Sequence, residues 1–168
     1  AHAVASVDAL SRPANFHKST RPVTFSARIK VRFGDADPAG LVYYPALFHY
    51  CHAAMEDFFA ARCGVPYDEL VSRRRLGFPT VNARAEFFAP LVYGDEASVE
   101  VWVSRVGRSS ATFEYRLRRA SDGRLCASAS LVQVAMSLDV RAAVPVPEDL
   151  RRAFEQSAES APDAARAE

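Results

Sequence analysis

The stretch Phe33-Gly34-Asp35-Ala36-Asp37-Pro38-Ala39-Gly40-Leu41-Val42-Tyr43-Tyr44-Pro45 decides how this chain folds. It packs two acids, two glycines and two prolines into a bend between a strand-like segment and an apolar helix. Glycine and proline at this density end a strand and permit backbone angles that other residues resist. Pro45 suits the first turn of a helix, where its missing N–H costs nothing. The bend therefore predicts a carboxylate near a helix N-terminus, whose free N–H groups can stabilise an anion or polarise a carbonyl.

The segments on the two sides of this bend have different periods. Before it, apolar side chains at every second position from Val23 to Phe33 predict a half-buried strand. After it, apolar residues at helical spacing predict a helix from about residue 44 or 45 to Cys63, which Gly64 ends. The helix is unusually apolar, and a sheet wrapped around it would explain this composition.

The rest of the chain predicts four more strands and one short helix. Alternating segments begin near Val81, Ala97, Ala111 and Leu125, and Asp122-Gly123 is a strong hairpin signal before the last of them. A short amphipathic helix is expected around residues 148–156. This order predicts an α+β fold with a five-stranded antiparallel sheet over residues 23–145. We expect a flexible tail over residues 1–22, and a short helix followed by a mobile tail over residues 146–168.

The composition excludes several classes of protein. The formal net charge of +1 gives no general attraction to nucleic acid or membrane surfaces. No apolar run approaches the roughly 20 residues that span a bilayer. Three cysteines without paired spacing argue against a disulfide framework and favour a reducing, cytoplasmic setting. The histidines and cysteines lack metal-ligand spacing, so we expect no metal or redox cofactor.

The order of residues 33–45 resembles the signature of the 4-hydroxybenzoyl-CoA thioesterase family of hotdog-fold proteins, and a looser similarity continues to about Asp139. The resemblance implies hydrolysis of an acyl-CoA thioester, with coenzyme A as part of the substrate. It implies a hotdog fold, in which the sheet curls around a long central helix. It also implies a homo-oligomer, in which dimers pair into tetramers and the active sites lie at subunit interfaces.

Carried over residue by residue, the family's catalytic acid falls on Asp37, and the backbone N–H that polarises the thioester carbonyl falls on Tyr44. A carboxylate in this place can attack the carbonyl and form a mixed anhydride, or it can activate a water as general base. The simpler interpretation of Asp37 is a turn-capping side chain before a proline. Asp35 is expected to have a structural role, accepting hydrogen bonds from loop amides.

Further candidates lie outside the bend. An acyl pocket is expected to include Val42, Tyr43, Phe78 and Thr80. The segment Gly107-Arg108-Ser109-Ser110 is a hairpin turn, and Arg108, Ser109 and Ser110 are candidates for binding coenzyme A phosphates. These assignments compete with the simpler interpretation that the aromatic residues are core and the turn is merely polar.

His52 and Glu56 lie four residues apart, on one face of the predicted helix. They form either a surface pair or a second catalytic group, in which His52 orients a water or the acyl group and Glu56 holds His52. In another group of hotdog thioesterases the working acid lies on this helix, and that resemblance makes Glu56 the rival of Asp37. The family resemblance places an acid at His52, and the change argues against 4-hydroxybenzoyl-CoA as substrate but not against thioester hydrolysis. A hotdog enoyl-thioester hydratase or dehydratase using this pair, and a non-catalytic acyl-CoA-binding module, remain the alternative functions.

Overall fold

The computed structural model describes residues 24–162. In chain order the elements are β1 (Phe25–Lys30), α1 (Tyr44–Arg62), α2 (Tyr67–Ser72), β2 (Leu76–Gly77), β3 (Thr80–Phe87), β4 (Glu96–Val106), β5 (Ser110–Arg119), β6 (Leu125–Val134), β7 (Met136–Ser137), β8 (Ala142–Ala143) and α3 (Glu148–Ala158). The five long strands form one antiparallel sheet in the order β1-β4-β5-β6-β3. The predicted antiparallel sheet with its helix is confirmed, whereas the curling of the sheet around α1 stays a prediction.

The core lies between one face of this sheet and α1. Side chains along β4 and β5 alternate between buried and more exposed positions, as the period of two in the sequence predicts. Phe58 and Phe59 of α1 are fully buried and contact the ring of Phe113 in β5. Phe154 of α3 contacts the same three rings, so α3 closes this side of the core. The short helix that the sequence predicts in this region is confirmed.

Helix α1 begins at Tyr44, has Pro45 in its first turn and runs for 19 residues. Gly64 follows its end with φ of +67°, a left-handed conformation that glycine adopts without strain. The sequence prediction of this helix is therefore accurate to about one residue at each end. It positions the free N–H groups of the α1 N-terminus directly after the bend of residues 33–43.

The connection between α1 and β3 has more structure than the sequence indicates. It contains α2 and β2, and β2 pairs with β7, which also pairs with β8, in a small three-stranded sheet. Elements of two to six residues carry too little periodicity to be recognised in a sequence. This small sheet holds the chain that leads into β3 beside the end of β6.

Strand β3 is an edge strand that stays exposed on both of its faces. Ala83, Ala85 and Phe87 pair with core-facing residues of β6, and directly opposed residues point to the same side of a sheet. They therefore face the side on which α1 lies, and yet each remains partly or largely open. The extra residue Val81 bulges from the strand and is 62% exposed.

The two predicted tails lie wholly or partly outside the described residues. The tail predicted over residues 1–22 is outside them, and so are residues 163–168 of the predicted C-terminal tail. Between residues 24 and 162, no helix is long and apolar enough to cross a membrane.

Candidate active site

The bend folds into a tight hairpin-like loop around Asp37. The Asp37 N–H donates to the Leu41 carbonyl at 2.9 Å, and the Gly40 N–H donates to the Asp37 carbonyl at 2.8 Å. Asp, Pro and Gly at the first, second and fourth positions suit such a turn, and Gly40 has φ of +79°. The two arms then meet again, because Ala36 bridges to Val42. The loop therefore returns the chain to α1 beside the acid.

One carboxylate oxygen of Asp37 accepts a hydrogen bond from the loop, and the other accepts none from the described residues. Its Oδ1 accepts the Ala39 N–H at 2.9 Å, which is the turn-capping bond expected of an Asp before proline. Its Oδ2 has no hydrogen-bond partner within residues 24–162, and the side chain is half-buried. The capping bond fixes the orientation of the carboxylate, so the turn-capping and catalytic interpretations are compatible.

Asp35 ties the loop to the helix. Its carboxylate Oδ2 accepts the Arg32 N–H and the Tyr50 hydroxyl, each at 2.7 Å. Its carbonyl accepts the Tyr43 N–H at 2.8 Å. Burial, followed by the hydrogen bond to Asp35, raises the pKa of Tyr50 well above its ordinary value, so this phenol is a neutral donor at physiological pH. The predicted structural role of Asp35 is confirmed.

The first amide of α1 is available as a donor. Tyr43 precedes the helix without giving it a side-chain cap, and Pro45 has no N–H. In the described part of the chain the Tyr44 N–H has no acceptor. The N-terminal end of the helix dipole reinforces its attraction for a developing negative charge. Asp37 and the Tyr44 amide thus lie on the same loop-to-helix junction.

An apolar groove of about 340 Å³ opens beside this junction. Its lining consists of Leu41, Val42, Leu47, Phe87, Phe88, Ala89, Pro90, Leu91, Cys126 and Ala127. Val42, one of the predicted pocket residues, is thus part of the wall. Tyr43 is half exposed and makes an edge contact with the Tyr44 ring, with centroids 5.1 Å apart. The groove is thus bordered by Leu41 and Val42, which follow Asp37 in the same loop.

The other predicted binding residues lie at the opposite end of the sheet. Thr80 begins β3 and pairs with Gln133, whereas Phe87 ends β3 beside the groove. Seven steps of about 3.3 Å from Thr80 to Phe87 separate the two ends by roughly 23 Å. Phe78 is buried just before β3, and Thr80 is exposed at the start of its open edge. Within one chain, Thr80 therefore does not meet Asp37.

The turn of residues 107–110 also lies at this second end. Ser110 begins β5 opposite Val134, and the Ser109 carbonyl accepts the Ala135 N–H at 2.8 Å. Arg151 of α3 donates to the carbonyls of Gly107 and Arg108 at 2.8 and 3.3 Å. The turn is thus braced, with the Arg108 side chain exposed.

His52 and Glu56 contact each other on the exposed face of α1. The distance between His52 Nε2 and Glu56 Oε1 is 3.0 Å. His52 also makes an edge contact with the Tyr67 ring, whose hydroxyl accepts the Phe78 N–H at 3.2 Å. Eight residues along the helix place His52 about 12 Å from Tyr44. Through Tyr67 the pair is linked to Phe78, whereas about two helical turns separate His52 from the Tyr44 N–H.

Some residues that shape these two ends are not indicated by any motif. Tyr50 looks like an ordinary core aromatic, and Arg151 looks like an exposed helix residue. Gln133 is the one detectable case, because it stands on the apolar phase of β6, and the structure buries it to 2% exposure. A polar residue on the buried phase of a strand was the available signal.

Cys51 and Cys63 are not among the residues that line the groove, whereas Cys126 is one of them. Burial raises the pKa of Cys51 and of Cys63 to about 12, so both thiols are protonated at neutral pH. All three cysteines are free. Among residues 24–162, no three His, Cys, Asp or Glu side chains are grouped as a metal site requires.

Comparison with known proteins identifies the family. The model of the thioesterase-like superfamily matches residues 31–154. A 1,4-dihydroxy-2-naphthoyl-CoA hydrolase from Thermosynechococcus vestitus is 32% identical over 133 residues, covering 79% of this chain and 90% of the relative.

Two solved structures support the same assignment. A gentisyl-coenzyme A thioesterase has a TM-score of 0.69 and 30% identity, over 78% of this chain and 99% of its own. A variant of 4-hydroxybenzoyl-CoA thioesterase bound to 4-hydroxybenzoyl-CoA has a TM-score of 0.71 and 27% identity, over 78% and 98%. The hotdog thioesterase fold and the predicted enzyme class, a thioester hydrolase, are confirmed. The chain belongs to the thioesterase-like superfamily of acyl-CoA thioester hydrolases.

Proposed function

We propose that this protein hydrolyses the thioester of a small or medium-sized aromatic acyl-CoA, with Asp37 as nucleophile or general base. The observation that carries the proposal is the junction at the start of α1. There a carboxylate with a free oxygen shares one short loop with an uncapped helix amide, beside an apolar groove. The similar proteins named above act on acyl-CoA esters with aromatic acyl groups, which supports an aromatic acyl group here.

In the proposed reaction the thioester carbonyl accepts a hydrogen bond from the Tyr44 N–H. This contact strengthens as the oxygen gains negative charge, so it lowers the barrier rather than only binding the substrate. Asp37 Oδ2 then either attacks the carbonyl carbon, with coenzyme A thiolate leaving and water hydrolysing the anhydride, or removes a proton from an attacking water. Asp35 keeps the loop and helix in register through Tyr50.

We infer that the complete site forms between two copies of the chain. Residues expected to bind the acyl group and coenzyme A lie at the Thr80 end of β3, roughly 23 Å from the Phe87 end near Asp37. The free edge of β3 can pair with β3 of a second copy in antiparallel fashion around a two-fold axis near the strand centre. Such pairing sets the partner's Thr80 end beside the Asp37 end of the first copy.

This arrangement also accounts for the exposed face of β3. A second α1 over the joined sheets would cover the open side chains of Ala83, Ala85 and Phe87. We therefore propose a homodimer as the catalytic unit, with dimers pairing into a tetramer and each sheet curling around its own α1. The free cysteines favour a reducing, cytoplasmic setting, and the proposed chemistry needs no metal or further cofactor.

The contact between His52 and Glu56 supports a second candidate function. A carboxylate that orients an imidazole is the arrangement required to move protons during hydration of an enoyl thioester. In that case the reaction would consume an enoyl-CoA without releasing free thiol. A third possibility, an acyl-CoA-binding module, would bind the ester saturably without turnover.

The deciding experiment is thiol release from a panel of aromatic and aliphatic acyl-CoA esters, with Asp37→Asn beside the wild type. We expect kcat for the best ester to fall by about two to four orders of magnitude, the usual effect of losing an acid–base group. Asp57→Asn, the same change at an exposed site on α1, is the matched control and should keep the wild-type rate. A wild-type rate in Asp37→Asn together with a large loss in Glu56→Gln would assign the chemistry to the helix pair instead.

A further inference from the structure

Gln133 is a buried polar side chain with one polar atom that makes no hydrogen bond within residues 24–162. Its exposure is 2%, and its Oε1 has no hydrogen-bond partner among the described residues. Its Nε2 donates to the Thr80 hydroxyl at 3.2 Å. A buried acceptor left without a partner destabilises a folded chain, so native proteins rarely retain one without a use for it.

The surroundings of Gln133 show where this atom lies. It pairs with Ala111 on one side and with Thr80 on the other, so all three share the side of the sheet on which α1 lies. Leu131 of β6 and Ala135, directly after the end of β6, lie two residues before and after it, and both are buried. Thr80 is exposed at the open edge. The carboxamide is thus a buried polar group bordered by apolar residues, one strand in from the open edge of β3.

Thr80 fixes the direction of the carboxamide. The hydrogen bond between the two side chains spans two neighbouring strands, and Thr80 is stiff at its first side-chain torsion because it is β-branched. A carboxamide and a hydroxyl held together present both an acceptor and a donor. A ligand hydroxyl, which donates one hydrogen bond and accepts others, matches such a pair.

We propose that the Gln133 carboxamide, oriented by Thr80, is a specificity-determining group that hydrogen bonds to a hydroxyl on the acyl group of the substrate. The proposal rests on the proposed thioesterase function, in which Thr80 and Gln133 of one copy face the acyl group held at Asp37 of the other. A hydroxylated ring satisfies Oε1. An unsubstituted ring leaves it unpaired, so the site discriminates against that ring by the loss of a buried hydrogen bond.

The test compares benzoyl-CoA with its 2-, 3- and 4-hydroxy derivatives, in the wild type and in Gln133→Met. Methionine keeps the length and flexibility of the side chain without its polar atoms. For at least one ring position we expect the wild type to prefer the hydroxylated ester by about ten- to a hundredfold in kcat/KM, as one buried hydrogen bond provides. In Gln133→Met this preference should fall to within about twofold of unity.

Three further variants separate recognition from folding. Thr80→Val should lose part of the preference, whereas Thr80→Ser, which keeps the hydroxyl, should retain it. Ser157→Ala removes a buried hydroxyl of α3 that bonds to the Val103 N–H, and it should leave the preference unchanged. Gln133→Met removes an unpaired polar atom, so its unfolding temperature should equal or exceed that of the wild type.

The outcomes distinguish this inference from the proposed function. Hydrolysis of all four esters with no preference for a hydroxyl would overturn the role of Gln133 and leave the thioesterase proposal intact. The role of Gln133 would also be overturned if Gln133→Met kept the preference for the hydroxylated ester, or if a lower unfolding temperature were its only change. No hydrolysis of any acyl-CoA by the wild type would instead overturn the proposed function.

Discussion

The two ends of β3 differ in how their functional groups are held. At the Phe87 end, a loop made rigid by its own hydrogen bonds presents Asp37 and a free helix amide. At the Thr80 end, side chains from separate strands meet on a regular sheet, and Gln133 depends on a cross-strand neighbour for its orientation. The first end is built from consecutive residues and supplies the proposed chemistry. The second is built by tertiary pairing and supplies the proposed recognition of the substrate.

The distance between the two ends of β3 bears on how the protein assembles. A single chain carries both ends, but roughly 23 Å of strand separates them. If they serve the same substrate molecule, each site takes one end from each copy. A chain that is defective at one end can then be complemented by a chain that is defective at the other.

The largest effect is expected from this complementation. We expect Asp37→Asn and Thr80→Trp to be nearly inactive alone, because the first loses the carboxylate and the second fills the acyl groove of the partner. When the two variants are co-expressed, half of the dimers are expected to be mixed, and each mixed dimer contains one intact site of its two. The unselected mixture should therefore regain about a quarter of the wild-type rate of thiol release. Separate affinity tags on the two chains allow the mixed dimers to be purified.

The control co-expresses the wild type with a chain carrying both changes. Composite sites predict about a quarter of the wild-type rate, because only wild-type homodimers contain intact sites. Sites confined to one chain predict about half, and no recovery in the first mixture. A half rate in the control together with no recovery in the first mixture would contradict the shared site. Circular dichroism of each variant checks that it folds.

The next effect tests how firmly the Phe87 end is fixed. Tyr50→Phe removes the hydroxyl that donates to Asp35 and leaves its buried ring in place. The lost charge-assisted hydrogen bond should reduce the free energy of unfolding by about 1–3 kcal/mol. Loosening the loop should also lower kcat by about tenfold, since small misplacements of a reacting group are costly.

Denaturant unfolding and kcat are measured together on this variant. Tyr93→Phe is the matched control, because it removes a phenolic hydroxyl from an exposed ring in edge contact with Phe33. It should change neither quantity. A Tyr50→Phe enzyme with unchanged kcat would show that Asp35 does not position Asp37 through the helix.

The same contrast explains what the sequence could predict. The motif around Asp37, the long α1 and the five strands follow from local patterns, because consecutive residues determine turns, caps and periodicity. Gln133 and Thr80 become neighbours only through the β3–β6 register, and a register that begins at a bulge is not readable from periodicity. The residues of the small sheet were missed for a related reason, since its strands have two residues each.

A smaller effect is expected from the brace on the turn at the Thr80 end. Arg151→Ala removes the guanidinium that donates to the Gly107 and Arg108 carbonyls. If this turn binds coenzyme A phosphates, its loss of order should raise KM by about three- to tenfold with little change in kcat. Arg152→Ala, which removes a neighbouring exposed arginine paired with Glu148, should leave both constants unchanged. A change confined to kcat would place the turn outside the binding site.

The smallest effect concerns the ion pair that holds α3 at the same end. The hydrogen bond from Arg74 at 2.6 Å lowers the pKa of Asp149 below its ordinary value, so the folded state favours the ionised carboxylate. Its contribution to stability is therefore present above the ordinary carboxyl pKa and is lost as the pH falls through the lower pKa of the folded state. Because the pair is about half exposed, the contribution should be below about 1 kcal/mol. Urea unfolding of Asp149→Asn and the wild type should differ slightly at pH 7 and converge toward pH 3, and a difference that widens toward low pH would contradict this origin.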